Sequence, residues 1–239
     1  MASEPHPRHP ESSDEELLEA ETSAILAELT DAQRLLRIQD ELRNGFAALG
    51  RIGKAVSFFG SARTPPGHPS YERARELARR LGDEGFAIIT GGGPGIMEAA
   101  NRGAQDAGVP SVGLGIELPH EQGMNDYVDL PLTFHYFFTR KVMFVRYASA
   151  FIVFPGGFGT MDELFEAATL RQTGKIRSFP IVLVDSGYWG GLVEWIHGSM
   201  LDDGYISPED IETLTVCDDF DRVIEIVEDV EHRRPRRAA

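Results

Sequence analysis

The feature that most constrains this chain is a repeated unit: a short apolar run, a glycine-bearing turn, then an amphipathic stretch. Ala55 to Phe59 runs into Gly60-Ser61. Phe86 to Thr90 runs into Gly91-Gly92-Gly93-Pro94-Gly95, and Phe151 to Phe154 into Pro155-Gly156-Gly157-Phe158-Gly159-Thr160. Unbroken apolar strands belong to sheets covered on both faces, and strands alternating with helical stretches build βαβ units. The pattern predicts strands at 55–59, 86–90, 110–114, 151–154, 180–184 and 214–216. Helices are expected over 69–84, 95–108, about 135–149, 160–173, 188–200 and 218–231, and residues 116–133 read as a longer loop-like stretch. The expected fold class is therefore α/β, a Rossmann-like doubly wound parallel sheet with helices on both faces, preceded by an N-terminal helical extension.

That extension spans residues 13–53. Its apolar residues, Leu17 through Phe46, recur at helical spacing and suit one or two amphipathic helices packed on the body or on a partner subunit. Ser13 with Glu16 has the form of a capping box, and Gly50 and Gly53 are candidate C-cap glycines. Residues 1–12 are polar and read as a disordered tail; 54–231 form the Rossmann-like nucleotide-binding, catalytic domain; 232–239 are a basic tail, expected to be a solvated end.

Charge narrows the partners. The net charge is −15, and a chain this acidic lacks the cation excess that nucleic acid or an anionic membrane requires. No apolar run reaches membrane-spanning length, and the acidic N-terminus lacks the basic-then-apolar order of a secretory signal. The one cysteine, Cys217, has no internal partner, which suits a reducing, cytoplasmic setting. No His/Cys/Asp cluster has ligand spacing, so neither a metal nor a cofactor is expected.

In an open parallel sheet, ligands bind beyond the carboxyl ends of the strands, where the three glycine turns fall. Glycine lets backbone approach a phosphate, and a helix start supplies free N–H donors. Neither G-x-x-x-x-G-K-[ST] nor G-x-G-x-x-G occurs, which disfavours a P-loop NTPase and a dinucleotide cofactor. One phosphate to cradle, as in a mononucleotide, suits Gly60, Ser61, Gly92, Gly93 and Gly156 to Thr160 better.

Two charged features share that rim. Glu163 follows Thr160 by three residues, on a side of its helix away from the core face marked by Met161, Leu164, Phe165 and Ala168. At a helix N-terminus it is expected to stay ionised at neutral pH. Arg140-Lys141 stand in a helix apolar nearly all round, where cations need an anionic partner, either an internal carboxylate or a ligand phosphate and ribose. Such a helix has one face for the sheet and another for a second subunit, so a homodimer or higher homo-oligomer is expected. His135 reads as a structural histidine.

Gly91-Gly92-Gly93-Pro94-Gly95-Ile96-Met97-Glu98, Arg140-Lys141 and Pro155-Gly156-Gly157-Phe158-Gly159-Thr160-Met161-Asp162-Glu163 together resemble the LOG (Lonely Guy) family, over roughly residues 54–230. Its members are cytokinin riboside 5′-monophosphate phosphoribohydrolases, and the N-terminal helices are similar to those of its longer bacterial form. The resemblance implies hydrolysis of AMP or an N6-modified AMP to free base and ribose 5-phosphate. It implies Arg140 and Glu163 as the catalytic pair, with Glu117, Lys141, Gly157 to Thr160 and Thr169 around the nucleotide. The base is expected against Met97 or Phe158. Gly93-Pro94, Met97-Glu98 and Asp162 depart from the short plant-like form and bear on base preference. Some relatives carry a "lysine decarboxylase" label, but pyridoxal-phosphate chemistry needs a Schiff-base lysine. Of Lys54, Lys141 and Lys175, only Lys141 is near the candidate site. A nucleotide sensor without activity is the alternative on this fold, and it would not need the Arg140/Glu163 pair.

Overall fold

A computed structural model describes residues 12–18, 29–117, 123–176 and 179–233. Seven parallel strands form one sheet in the order β4-β3-β2-β1-β5-β6-β7. They are β1 (Ala55–Phe59), β2 (Ala87–Thr90), β3 (Ser111–Ile116), β4 (Leu130–Phe134), β5 (Ala150–Val153), β6 (Ile181–Leu183) and β7 (Leu214–Val216). The four strands β1, β2, β5 and β6 are buried at every position, as their unbroken apolar runs require.

Helices cover both faces. On one side α3 (Pro69–Asp83), α4 (Ile96–Asp106) and α9 (Phe220–Arg233) bury Tyr71, Leu77, Ile96, Ala100, Val223 and Val227 against Val56, Phe58 and Ile152. On the other, α5 (Phe137–Tyr147), α6 (Phe158–Gln172) and α7 (Ser186–Trp195) bury Phe144, Leu164, Ala167 and Trp189 against Phe59, Phe151 and Ile181. The fold is α/β, Rossmann-like and doubly wound.

The extension consists of α1 (Ser13–Leu18) and α2 (Asp31–Leu49), and α2 lies over α5. Gly45 accommodates Met143, and Leu49 joins the core. Thr30 and Gln33 close a capping box at the start of α2. At α1 the expected cap is corrected by one residue: the Glu15 amide donates to Ser12 Oγ at 3.1 Å. Gly50 ends α2 in a right-handed conformation, and Gly53 supplies the positive φ of 78° before β1. The expected disorder of residues 1–11 lies outside the described residues, as does the tail from 234 onward; His232 and Arg233 belong to α9.

Further corrections concern edges. The stretch read as loop-like contains β4, an edge strand paired with β3 at Pro131↔Gly113. Proline lacks a ladder donor and is confined to such edges, and it hid the strand. The helix expected to 200 is α7 followed by a π-helical turn, Ile196–Leu201, and a short α8 (Pro208–Ile211) was not foreseen. Among the described residues, no helix is long and apolar enough to cross a membrane.

Candidate active site

The chain runs outward from central β1 to β4, then returns to β5 on the other side of β1. Strand order reverses there, and the crevice beyond the carboxyl ends of β1 and β5 is where such sheets hold ligands. A cleft of about 890 Å³ opens at this point.

Its floor is the three glycine turns, tied into one piece. The Ser61 amide donates to Pro155 O at 2.9 Å, and the Ile96 amide donates to Ser61 O at 3.0 Å. Gly95 is at φ 72°, and a Cβ there would lie 2.3 Å from Ser61 O; only glycine satisfies both the backbone and the space. A Cβ on Gly156 would meet Thr160 Oγ1 at 2.1 Å. Tyr188, on α7, donates its hydroxyl to Gly156 O at 2.7 Å and braces the turn from below. Helix α6 begins on Gly157 with no side-chain cap, so its positive end and first-turn donors face the cleft.

A buried polar network holds the second turn. Thr90 Oγ1 accepts from the Gly92 amide at 2.9 Å and donates to Asn101 Oδ1 at 2.7 Å. Asn101 donates to Ser111 Oγ, while Asn125 Nδ2 donates to Gly92 O, Gly93 O and Asn101 Oδ1. Low surrounding dielectric makes such satisfied groups rigid.

Gly60, Ser61, Gly92, Gly93, Met97, Glu117, Arg140, Gly157, Phe158, Gly159, Thr160 and Glu163 all line the cleft. Gly156, also expected there, does not line it and packs instead against Thr160 and Gly60. Lys141 and Thr169 lie outside, on a separate shallow concavity with Met161 and Phe165. There Lys141 Nζ pairs with Asp162 and Glu166, each at 2.8 Å, and these carboxylates hold its pKa above the ordinary lysine value although burial pulls the other way. Thr169 Oγ1 donates within its own helix, to Phe165 O.

Arg140 and Glu163 meet across the cleft, Nη2 to Oε1, at 3.7 Å. The guanidinium is stacked between the rings of Phe137 and Phe144, at 5.0 and 5.6 Å from their centroids, which fixes its plane. Glu163 is 3% exposed, and neither carboxylate oxygen has a hydrogen-bond partner. Burial raises its pKa from 4.5 to about 7; Lys141 and Arg140 pull down, while Glu166 and Asp162 push up. The expectation of a fully ionised Glu163 is thereby corrected, because desolvation outweighs the helix-end field. The facing holds except at one residue: Met161, Leu164 and Ala168 pack on the core and Thr160 and Glu163 share the cleft side, whereas Phe165, expected on the core face, is exposed.

Sequence reasoning missed Arg63, Phe137, Tyr188, Asn101 and Asn125. Among the described residues, Arg63 and Arg140 are the cations that line the cleft, and Glu117 and Glu163 its carboxylates. An asparagine within the small, apolar Ala99-Ala100-Asn101 run was the one available signal for the network. Among the described residues, no lysine lines the cleft, and the residues that do line it do not fit a Schiff-base cofactor.

The chain has relatives among known proteins. A family model described as "possible lysine decarboxylase" matches residues 97–227. The cytokinin riboside 5′-monophosphate phosphoribohydrolase of Mycobacterium tuberculosis is 35% identical over 150 residues, 62% of this chain and 79% of that one. Its counterpart from Mycobacterium marinum is 30% identical over 163 residues, 67% and 87% of the two chains. Among solved structures, the molybdenum cofactor binding protein of Rippkaea orientalis superposes with a TM-score of 0.55 over 74% of this chain and 97% of its own, at 21% identity, a likeness of fold alone. By the extent of these matches the chain belongs to the LOG family, the family of the mycobacterial phosphoribohydrolases.

Proposed function

We propose that the protein hydrolyses the N-glycosidic bond of a nucleoside 5′-monophosphate, AMP or an N6-modified AMP such as isopentenyladenosine monophosphate, releasing base and ribose 5-phosphate. The observation that carries this reading is Glu163: a buried carboxylate, unbonded at both oxygens, facing Arg140 over a floor built for an anion. A buried acid left in that condition is costly unless the ligand completes it.

The 5′-phosphate sits at the start of α6, over Gly157 to Thr160, where helix donors replace its hydration. Breaking the bond builds positive charge on the sugar, as in glycoside hydrolysis. Ionised Glu163 stabilises that charge and takes the proton of an attacking water, whose oxygen bonds the anomeric carbon. The bonding pair leaves with the base nitrogen, which then takes up a proton. Arg140 orients Glu163 and the ribose and assists departure of the base. The base lies against Met97, whose side chain covers Gly91 and Gly93, or against Phe158 at the rim.

A homodimer or higher homo-oligomer is part of the proposal. Phe138 and Val142 on α5 and Phe158 and Phe165 on α6 expose apolar surface, and surface of this kind is ordinarily covered by another subunit.

The test is incubation with AMP and with isopentenyladenosine 5′-monophosphate, following base and ribose 5-phosphate by chromatography. Wild-type protein should release base; Glu163→Gln should bind AMP and turn over about a hundredfold or more slowly. Tight binding without release by the wild type would instead make the protein a nucleotide sensor.

A further inference from the structure

Helix α2 reaches the cleft through one histidine. Glu41, 8% exposed, is the buried carboxylate of that helix. It accepts from the His135 amide at 3.0 Å, lies 2.8 Å from His135 Nδ1, and accepts from Thr139 Oγ1 at 2.6 Å. The other ring nitrogen, Nε2, is 3.0 Å from Glu117 Oε2, and Glu117 lines the cleft. Elsewhere α2 meets the body through Gly45 on Met143, buried Leu49, and Phe46, whose carbonyl accepts from the Tyr147 hydroxyl and whose ring lies under Arg146. A carboxylate in such a contact costs stability unless fully bonded, and here its bonds all go to the segment that turns β4 into α5.

We propose that Glu41 and His135 are positioning residues that hold Glu117 in the cleft wall, so that the N-terminal extension helps form the ligand site. The inference rests on the cleft being the nucleotide site. Glu41 clamps the imidazole by accepting from Nδ1–H, and the ring, when it carries both protons, donates Nε2–H to Glu117. Glu117 is otherwise an exposed side chain with rotamers to lose on binding. Held in place, its carboxylate repels the phosphate and accepts from the uncharged, donor-bearing part of the nucleotide, the ribose hydroxyls or the base amine. The extension lies outside the residues matched by the family model.

The experiment uses the full chain, with AMP affinity read by calorimetry. Glu117→Gln, His135→Asn and Glu41→Gln should each weaken AMP about tenfold, the scale of one hydrogen bond to a charged group. Because His135 acts through Glu117, the double variant should bind no worse than Glu117→Gln alone. Thr139→Val removes a Glu41 partner that does not face the cleft and should leave AMP affinity at the wild-type value. Additive losses, or an equal loss in Thr139→Val, would overturn the proposal. The ligand-free protein supplies a separate readout: ¹⁵N imidazole resonances of His135, assigned by their loss in His135→Asn, should shift in both Glu117→Gln and Glu41→Gln. Should the wild type bind no AMP, the nucleotide reading falls, and an unmoved imidazole spectrum would still overturn the clamp by itself.

Discussion

Replacing Glu163 by glutamine should stabilise the protein, and more so as pH rises. The carboxyl titrates near 7 in the folded chain and near 4.5 when free. Between those values the folded state holds a proton that the unfolded state has released, so wild-type stability falls as pH increases. At about 1.4 kcal/mol per pH unit, Glu163 should withdraw roughly 1 kcal/mol at pH 5 and about 3 kcal/mol at pH 8, then no more. Glutamine has the same shape and does not titrate, so it escapes that loss. Urea unfolding of both proteins at several pH values, with the slope m held in common, isolates the difference. The reasoning requires the advantage of Glu163→Gln to grow through this window and level off above pH 7. A difference flat in pH would refute it, and so would a variant less stable than wild type at pH 8. The measurement needs no substrate, so it tests the electrostatics of the site apart from its chemistry.

The same titration should appear in turnover. If ionised Glu163 is the working form, kcat/KM for AMP rises with pH and reaches a plateau above about 7, the pKa belonging to the free protein; a profile flat from pH 5 to 8 would place the working group elsewhere. Gly95→Ala forces a Cβ against Ser61 O at positive φ and should cost about 3 kcal/mol or more in chemical unfolding. Gly53→Ala, at positive φ in open space, should cost only about 1–2 kcal/mol, and equal losses would contradict the packing argument. Light scattering should give a mass of two chains or more, reduced toward one by Phe165→Glu; a wild-type monomer would remove the oligomer from the proposal.

Much of this was legible in the sequence where one physical rule dominated. The strands β1, β2, β5 and β6 show as apolar runs because burial on both faces leaves no room for alternation. The turns at Gly60, Gly91 to Gly95 and Gly156 to Gly159 mark the cleft because close backbone approach excludes side chains. Competing rules hid the rest. Strand β4 alternates, with Leu130, Leu132 and Phe134 turned inward and Pro131 and Thr133 outward, but it is short and its proline reads as a loop signal. Arg140 and Lys141 are neighbours in sequence but about 100° apart around a helix; one enters the cleft and the other meets Asp162 and Glu166. Glu163 was misjudged by weighing the helix end and omitting desolvation, which depends on everything packed above it. Partners such as Asn101 with Asn125, or Tyr188 with Gly156, are separated by 24 and 32 residues, and no local pattern joins them.

The linkage of the three turns through Ser61 divides the cleft into parts with different freedom to change. Because the amide and carbonyl of one residue hold the turns after β1, β2 and β5 in register, a residue inserted in any one of them would displace the other two. The cleft floor therefore behaves mechanically as a single unit, altered all at once or left alone. Arg63, Met97, Glu117 and Phe158 line the same space without taking part in that linkage. Substitutions there can reshape the cleft wall one position at a time, over a floor that stays fixed.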